Sequence, residues 1–288
     1  MLSNWFTHLQ EVIQRYNIQP MDIWNMDEIG FQMGHHQKGN VVFDRRTGPP
    51  KALASGTSAW VSSLECISAD GRYLAPLVIH RGTNPNQPLD YWFPPCEECP
   101  NWIYGFTAKG WTNNDYSLEW LRQIFIPSTR RGPNWRLLLI DGHGSHLTAD
   151  FQWECLTNQV VFAYLLAHTS HLCQPCDLGP FAQLKRYYSQ HLANYIRQGK
   201  TEIDRVQFNI LYNQARDTGM TRQYIMAGWS RSGLEPLNPQ KVLSKAEISI
   251  YRATTPDLVP PPTLEYTTPI TRNDFQVVTI YLKAKLTP

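Results

Sequence analysis

Residues 136–188 read RLLLIDGHGSHLTADFQWECLTNQVVFAYLLAHTSHLCQPCDLGPFAQLKRYY, and the order of the parts decides the fold. Leu137-Leu138-Leu139-Ile140 is apolar at every position. A strand there must be covered on both faces, as at the centre of a sheet flanked by helices. The run ends on an acid, Asp141, followed at once by Gly142. A second apolar run, Val160 to Leu166, reads as another buried strand and leads into His168-Thr169-Ser170-His171. Asp177 then stands at the start of a helical pattern, with Phe181, Leu184, Tyr188, Leu192, Tyr195 and Ile196 at helical spacing and Pro180 suited to the first turn.

Working outward, residues 3–16 read as an amphipathic helix. Trp5, Phe6, Leu9, Val12, Ile13 and Tyr16 form its stripe, and Ser3 is the expected N-cap. Ile23 to Phe31 reads as a strand with Asp27 and Glu28 in its middle. Successive strand side chains face opposite ways, so only one of these acids can belong to a given site; the other is structural or solvated. Trp60 to Ser68 and Tyr73 to His80 are β-rich and joined through Asp70-Gly71, the signature of an antiparallel hairpin. Residues 35–56 and 81–110 read as loops. Asn113 or Asn114 caps a helix expected to run to Pro127, Gly132-Pro133-Asn134 turns the chain, and Thr148 to Cys155 forms a short helix. Helical pattern continues over 201–231 and ends near Ser232-Gly233, ahead of a proline-rich break at Thr255 to Thr263.

The composition narrows the class. A hydrophobic fraction of 42% with ten tryptophans in 288 residues supports a substantial core and argues against a disordered chain. A net charge of +2 means that any basic surface is local. No apolar run approaches the roughly 18 residues of a membrane span, and the opening helix pattern is not that of a signal peptide. A nuclear or cytosolic protein with six reduced cysteines is the expectation, without membrane association.

The acids carry the chemistry. Phosphoryl transfer with two metal ions needs hard oxygen ligands converging from different rigid elements. Asp27 on an early strand, Asp141 at the end of a central strand and Asp177 at a helix start fit that plan. Each also has a plainer reading: Asp141 as a turn acid before glycine, Asp177 as a helix N-cap, Asp27 or Glu28 as the partner of an arginine.

Together these residues resemble the DDE-type transposases of the Tc1/mariner superfamily, in particular the pogo-like, fungal type of DDE endonuclease domain. The resemblance rests on Asn25-Met26-Asp27-Glu28-Ile29-Gly30-Phe31, on Ile67-Ser68-Ala69-Asp70-Gly71-Arg72 with Pro76-Leu77-Val78-Ile79, and on Lys109-Gly110-Trp111-Thr112-Asn113. It continues through Asp141-Gly142-His143-Gly144-Ser145-His146, His168-Thr169-Ser170-His171 and Gln174-Pro175-Cys176-Asp177, in family order. A weaker match, Gly228 to Pro239, resembles the family's domain end. Ala167 stands where the family usually has proline, and Cys176 where it usually has leucine.

The resemblance covers roughly residues 1–245. It implies an RNase H-like mixed sheet flanked by helices over 1–200 and a helical extension over 201–245; beyond it, 246–288 read as a proline-containing, mostly irregular tail. It implies Asp27, Asp141 and Asp177 as the metal-binding triad for two Mg²⁺ or Mn²⁺ ions. It also implies cleavage and strand transfer at transposon ends, DNA as partner, a possible homodimer, a nuclear location, and no small-molecule cofactor. Family members carry helix-turn-helix DNA-binding domains before the catalytic domain; these are expected to be missing here. The alternative is a decayed or host-adopted relative that binds nucleic acid without cutting it.

Other constellations compete. Cys96-x-x-Cys99 and Cys173-x-x-Cys176 with His143, His146, His168 and His171 offer zinc ligands, but 73 residues separate Cys99 from Cys173, far more than compact ribbons use. The histidines are read instead as orienting loops around the acids or contacting phosphate. Lys185, Arg186, Arg197, Lys200 and Arg205 are candidates for a DNA backbone track, as are Arg45, Arg46 and Lys51 with Trp111. Ser145 lacks the flanks of a nucleophile elbow.

Overall fold

The computed structural model describes residues 2–33, 59–82, 99, 101–141, 148–166, 169–200 and 202–244. Helix α1 (Leu2–Arg15) and a 3-10 turn (Pro20–Asp22) precede strand β1 (Ile23–Gln32). Then come β2 (Trp60–Ser68), β3 (Leu77–Arg81) and β4 (Ile103–Thr107). Helix α2 (Asn114–Trp120) runs through a π-helical turn (Leu121–Phe125) into α3 (Ile126–Thr129). Strand β5 (Arg136–Ile140), α4 (Ala149–Thr157) and β6 (Val160–Tyr164) follow. The chain finishes with two one-turn helices, α5 (Ser170–Cys173) and α6 (Pro175–Leu178), and with α7 (Pro180–Arg197), α8 (Arg205–Gly219), α9 (Arg222–Ser232) and α10 (Gln240–Leu243).

The six strands form one mixed sheet in the order β4-β3-β2-β1-β5-β6. β1–β2 and β2–β3 are antiparallel; β1–β5, β5–β6 and β3–β4 are parallel. This is the helix-flanked mixed sheet expected of an RNase H-like domain. The alternation along β1 separates two cores. Ile23, Ile29 and Phe31 face α1 and the α7–α10 helices, while Trp24 and Met26 face Trp120, Phe125 and Phe151. Leu137 and Leu139 of β5 join the first core, Leu138 and Ile140 the second. That explains why Leu137 to Ile140 are all buried; Arg136, buried too, instead donates to the Thr129 hydroxyl and to the Ile126 and Asn158 carbonyls.

On the first face, Phe31 makes edge contacts with Tyr188 at 5.1 Å and Tyr212 at 5.0 Å. These rings join β1 to α7 and α8, and each such aromatic pair is worth about 0.5–1.5 kcal/mol beyond the area it buries. The stripe expected of α7 is observed, with Phe181, Leu184, Tyr188 and Leu192 buried. Phe208, Leu211, Tyr212, Trp229 and Val242, all within 202–244, enter the same core as Ile29.

Several expectations change. Ser3 lies inside α1, which already begins at Leu2. The hairpin turns at Gly71 with φ +94, but pairing passes from an isolated Ile67↔Tyr73 bridge to Leu64↔Leu77 with one extra residue on the second strand, so β3 begins only at Leu77. The loop read over 81–110 contains a strand, β4, that adds in parallel to β3 at the sheet edge. The helix capped by Asn113, whose side chain accepts from Tyr116 N–H at 2.9 Å, does not stop at Pro127. Proline has no N–H to donate, and the π turn immediately before α3 lets the helix pass it. β6 is an edge strand and mostly half-buried, because only one neighbour, β5, pairs with it. The tail beyond residue 244 lies outside the described residues.

Candidate metal centre

Asp27 shares a face of β1 with Asn25 and Ile29. The register places Asn25 level with Leu139 on the parallel neighbour β5. Two residues further along both strands, Asp27 comes level with Asp141, the first residue past β5. Adjacent strands lie about 4.8 Å apart. Two carboxylates are thus brought side by side by backbone pairing alone, without any long loop.

Asp177 arrives from the far side of the sequence. It sits in the one-turn helix α6, three residues ahead of α7, and caps neither helix: the residue before α6 is Gln174, and the residue before α7 is Gly179. What holds it is Asn25. The buried Asn25 donates Nδ2 to the Leu139 carbonyl at 3.0 Å and accepts from Cys176 N–H at 3.0 Å. The Cys176 thiol faces the Asn25 carbonyl at 3.7 Å. Gln174, also buried, donates Nε2 to the Met26 carbonyl at 3.4 Å. One asparagine therefore ties β1, β5 and α6 together immediately behind the acids.

The electrostatics show that the three acids sense one another. Burial, then the negative charges of Asp177 and Asp141, push the Asp27 carboxyl well above the ordinary carboxylate range. Hydrogen bonds from Glu28 N–H, at 2.8 Å, and from Gln174 pull the other way but are outweighed. Asp27 is half-buried, with protein packed densely around it. Asp177 is also raised, by burial first; Lys185 lowers it and Asp141 raises it. Its side chain reaches the surface, so the site opens toward solvent on the α6 side.

The donor set fits a hard divalent cation: three carboxylates whose mutual repulsion a cation would relieve. Gln174 Oε1, buried in the same corner, has no hydrogen-bond partner among the described residues. Among those residues no three His, Cys, Asp or Glu side chains form a closed metal-binding group.

The other candidates divide. Glu28, on the opposite face, accepts from the Ser62 hydroxyl and from Thr112 N–H at 2.9 Å, which makes it a tie between β1, β2 and the segment before α2. His171 is exposed on α5. Lys185 is exposed and within electrostatic reach of Asp177, whereas Arg186 bonds the Tyr187 hydroxyl at 2.6 Å and lies over its ring. Arg197 donates to Asn194, Lys200 lies over Tyr195 and Arg205 over Phe106. Trp111 is exposed and packs on Trp60. His143, His146, His168, Ala167, Cys96, Arg45, Arg46 and Lys51 lie outside the described residues. Cys99, Cys173 and Cys176 are buried thiols in the core.

Sequence reading missed Glu65, Arg216 and Tyr212. Glu65 is the direct register partner of Asp27 across β1–β2. It receives Arg216 Nε and Nη2 at 2.9 Å each, the Tyr212 hydroxyl at 2.7 Å and the Ser63 hydroxyl at 3.1 Å. A glutamate inside an apolar strand was the available signal. Asn25 and Gln174 were inside motifs already quoted, but nothing local marks them as clamps.

Comparison with known proteins completes the picture. The chain is similar to Mos1 in a strand transfer complex, with 12% identity, TM-score 0.48 and coverage of 84% of this chain and 60% of that one. It is also similar to the Mos1 mariner paired end complex with Mn, with 11% identity, TM-score 0.43 and coverage of 82% and 61%. A curated relative, "MFS-type transporter clz9" of Cochliobolus lunatus, is 32% identical over 239 residues, which is 82% of this chain but 26% of that protein. This chain thus spans about a quarter of that relative's length. A family model described as DDE superfamily endonuclease matches residues 57–232, more than half of the chain and inclusive of Asp141 and Asp177. The chain belongs to the DDE superfamily endonucleases.

Proposed function

We propose that this chain is the catalytic domain of a DNA transposon's metal-dependent endonuclease and strand transferase, of the pogo-like kind within the Tc1/mariner superfamily. The observation that carries the reading is the convergence of Asp27, Asp141 and Asp177 from β1, the end of β5 and α6, with Asp27 raised by the charges of the other two. These three residues would hold Mg²⁺ or Mn²⁺, two ions being expected. When bound, such ions activate an attacking water or hydroxyl and stabilise the leaving oxygen of a phosphodiester.

The chain's own groups supply position and charge. Pairing of β1 with β5 keeps Asp27 and Asp141 on rigid elements, where a fraction of an ångström matters. Asn25 and Gln174 orient the α6 turn against β1. The Asp27 carboxyl retains a proton to higher pH in the metal-free protein and releases it as a cation binds. Lys185 beside Asp177 offers a cation to a DNA phosphate, and His143, His146, His168 and His171 are assigned to loop orientation or phosphate contact. The partners are transposon ends and target DNA, handled by a homodimer in the nucleus. The name of the curated relative speaks of transport, but this chain matches only 26% of that protein.

The test is nicking of supercoiled DNA with Mg²⁺ or Mn²⁺ by the wild-type chain and by Asp141→Asn. Loss of groups that merely support metal ligands costs about 10–100-fold, so removing a ligand should cost at least about 100-fold. Equal nicking by both proteins would sink the assignment. No nicking by the wild type would favour the domain that binds nucleic acid without cutting.

A further inference from the structure

The Gly228–Pro239 stretch resembles only a family domain end, yet its first residues touch the segment that carries the third acid. α9 lies against α6 with no side chain between them. A Cβ on Gly228 would fall on the Pro175 carbonyl oxygen, far inside van der Waals contact, and 3.2 Å from Gly179 Cα. A Cβ on Gly179 would lie 2.5 Å from the Tyr224 carbonyl oxygen and 2.9 Å from Gly228 Cα. Neither glycine has a positive φ. The demand here is for close approach and not for an unusual backbone.

α9 cannot back away to make room. Ile225 and Trp229 are fully buried in the core shared with the sheet. α6 cannot retreat either, because Asn25 holds Cys176 against β1. Arg231, itself exposed, closes the contact by donating Nη1 to the Leu178 carbonyl at 2.9 Å, one residue past Asp177. The one-turn helix α6 is too short to hold its own position. It is clamped between β1 on one side and α9 on the other.

We propose that α9 is a positioning helix for Asp177, acting through the Gly228–Gly179 contact and the Arg231–Leu178 bond. The inference rests on the reading of Asp27, Asp141 and Asp177 as one divalent-cation site. A larger side chain at 228 wedges α6 away from α9 and moves Asp177 relative to Asp27 and Asp141.

The experiment is titration of the metal-free chain with Mn²⁺, free ion being counted by electron paramagnetic resonance, at a temperature where circular dichroism shows every variant folded. The proteins are wild type, Asp177→Asn, Gly228→Ala, Gly228→Val, Arg231→Met and Val242→Ala. Val242 is buried in α10 near Gly233 at the far end of α9, so its truncation costs stability without adding bulk between Gly228 and Gly179. The expected result is a Mn²⁺ affinity that falls with side-chain size at 228, by about 10–100-fold for Gly228→Val. A smaller loss is expected for Arg231→Met and none for Val242→Ala. Wild-type affinity in Gly228→Val overturns the inference. If that variant does not fold, wild-type affinity in both Gly228→Ala and Arg231→Met overturns it. Should wild type and Asp177→Asn bind Mn²⁺ equally, the acid-site reading fails, and this inference with it.

Discussion

Asp27 and Glu65 face each other across one register pair of β1 and β2, on the same side of the sheet. Their surroundings are opposite. Glu65 is completely buried and has two guanidinium bonds from Arg216 and two hydroxyl donors, while Arg216 also donates to the Leu74 carbonyl at 2.6 Å. Asp27 has a backbone N–H and an amide, set against two other acids. A buried acid whose counter-charge is supplied by the chain consolidates the fold. One whose neighbours are acids is left with repulsion that the proposed cation would relieve.

The two sites should therefore respond to neutralisation with opposite signs. The largest effect is expected at the satisfied site. Arg216→Met strands Glu65 as a buried, uncompensated charge and should lower stability by about 3–5 kcal/mol in urea unfolding. Adding Glu65→Gln should restore much of that loss. A single mutant as stable as wild type would mean that the pair is not a structural counterpart to the acid site.

At the unsatisfied site the sign reverses. Asp27→Asn removes a repelled charge and should stabilise the metal-free chain by roughly 0.5–2 kcal/mol while abolishing metal-dependent nicking. Because the folded pKa of Asp27 is raised, the native state holds more protons than the unfolded one once pH exceeds the unfolded value. Wild-type stability should accordingly fall as pH rises from about 4 through the folded pKa. The advantage of Asp27→Asn should grow over that range, and added Mg²⁺ should erase it. Melting curves at pH 5 and pH 8 suffice; an advantage independent of pH would refute the electrostatic explanation.

His80 gives a third case, whose effect is the smallest near neutral pH and appears only on acidification. Burial, and then the charge of Arg205, depress its pKa to about 3, with a hydrogen bond donated by the imidazole to Asn209 opposing. Burial dominates, so the imidazole is neutral in the fold at neutral pH. The unfolded state binds the extra proton below about 6.5, and stability should decline by at most about 1.4 kcal/mol per pH unit as pH drops below that value. His80→Phe should flatten this part of the stability profile; an unchanged slope would assign it to other groups.

Much of this layout was legible beforehand. Alternation along Ile23 to Phe31, the apolar run before Asp141 and the stripe of α7 each report locally which side of an element is apolar. The acids themselves stood out because charge is rare in such runs. β4 was illegible because a short edge strand among proline, asparagine and glycine shows no period. The π turn hid because Pro127 ordinarily marks a helix end.

The chain's local patterns determined most of its elements, β1, β5 and α7 among them, and its likeness to DDE endonucleases, whereas the pairing of β1 with β5 that brings Asp27 level with Asp141 is tertiary. Tertiary structure alone decided what lies against each face. The Asn25–Cys176 bond and the Glu65–Arg216 pair both span 151 positions, and the Gly228–Gly179 contact joins two helices that nothing local marks as neighbours. Hydrophobic periodicity specifies that a face must be covered; which partner covers it, and which buried charge is thereby balanced, emerges only when distant segments are packed together.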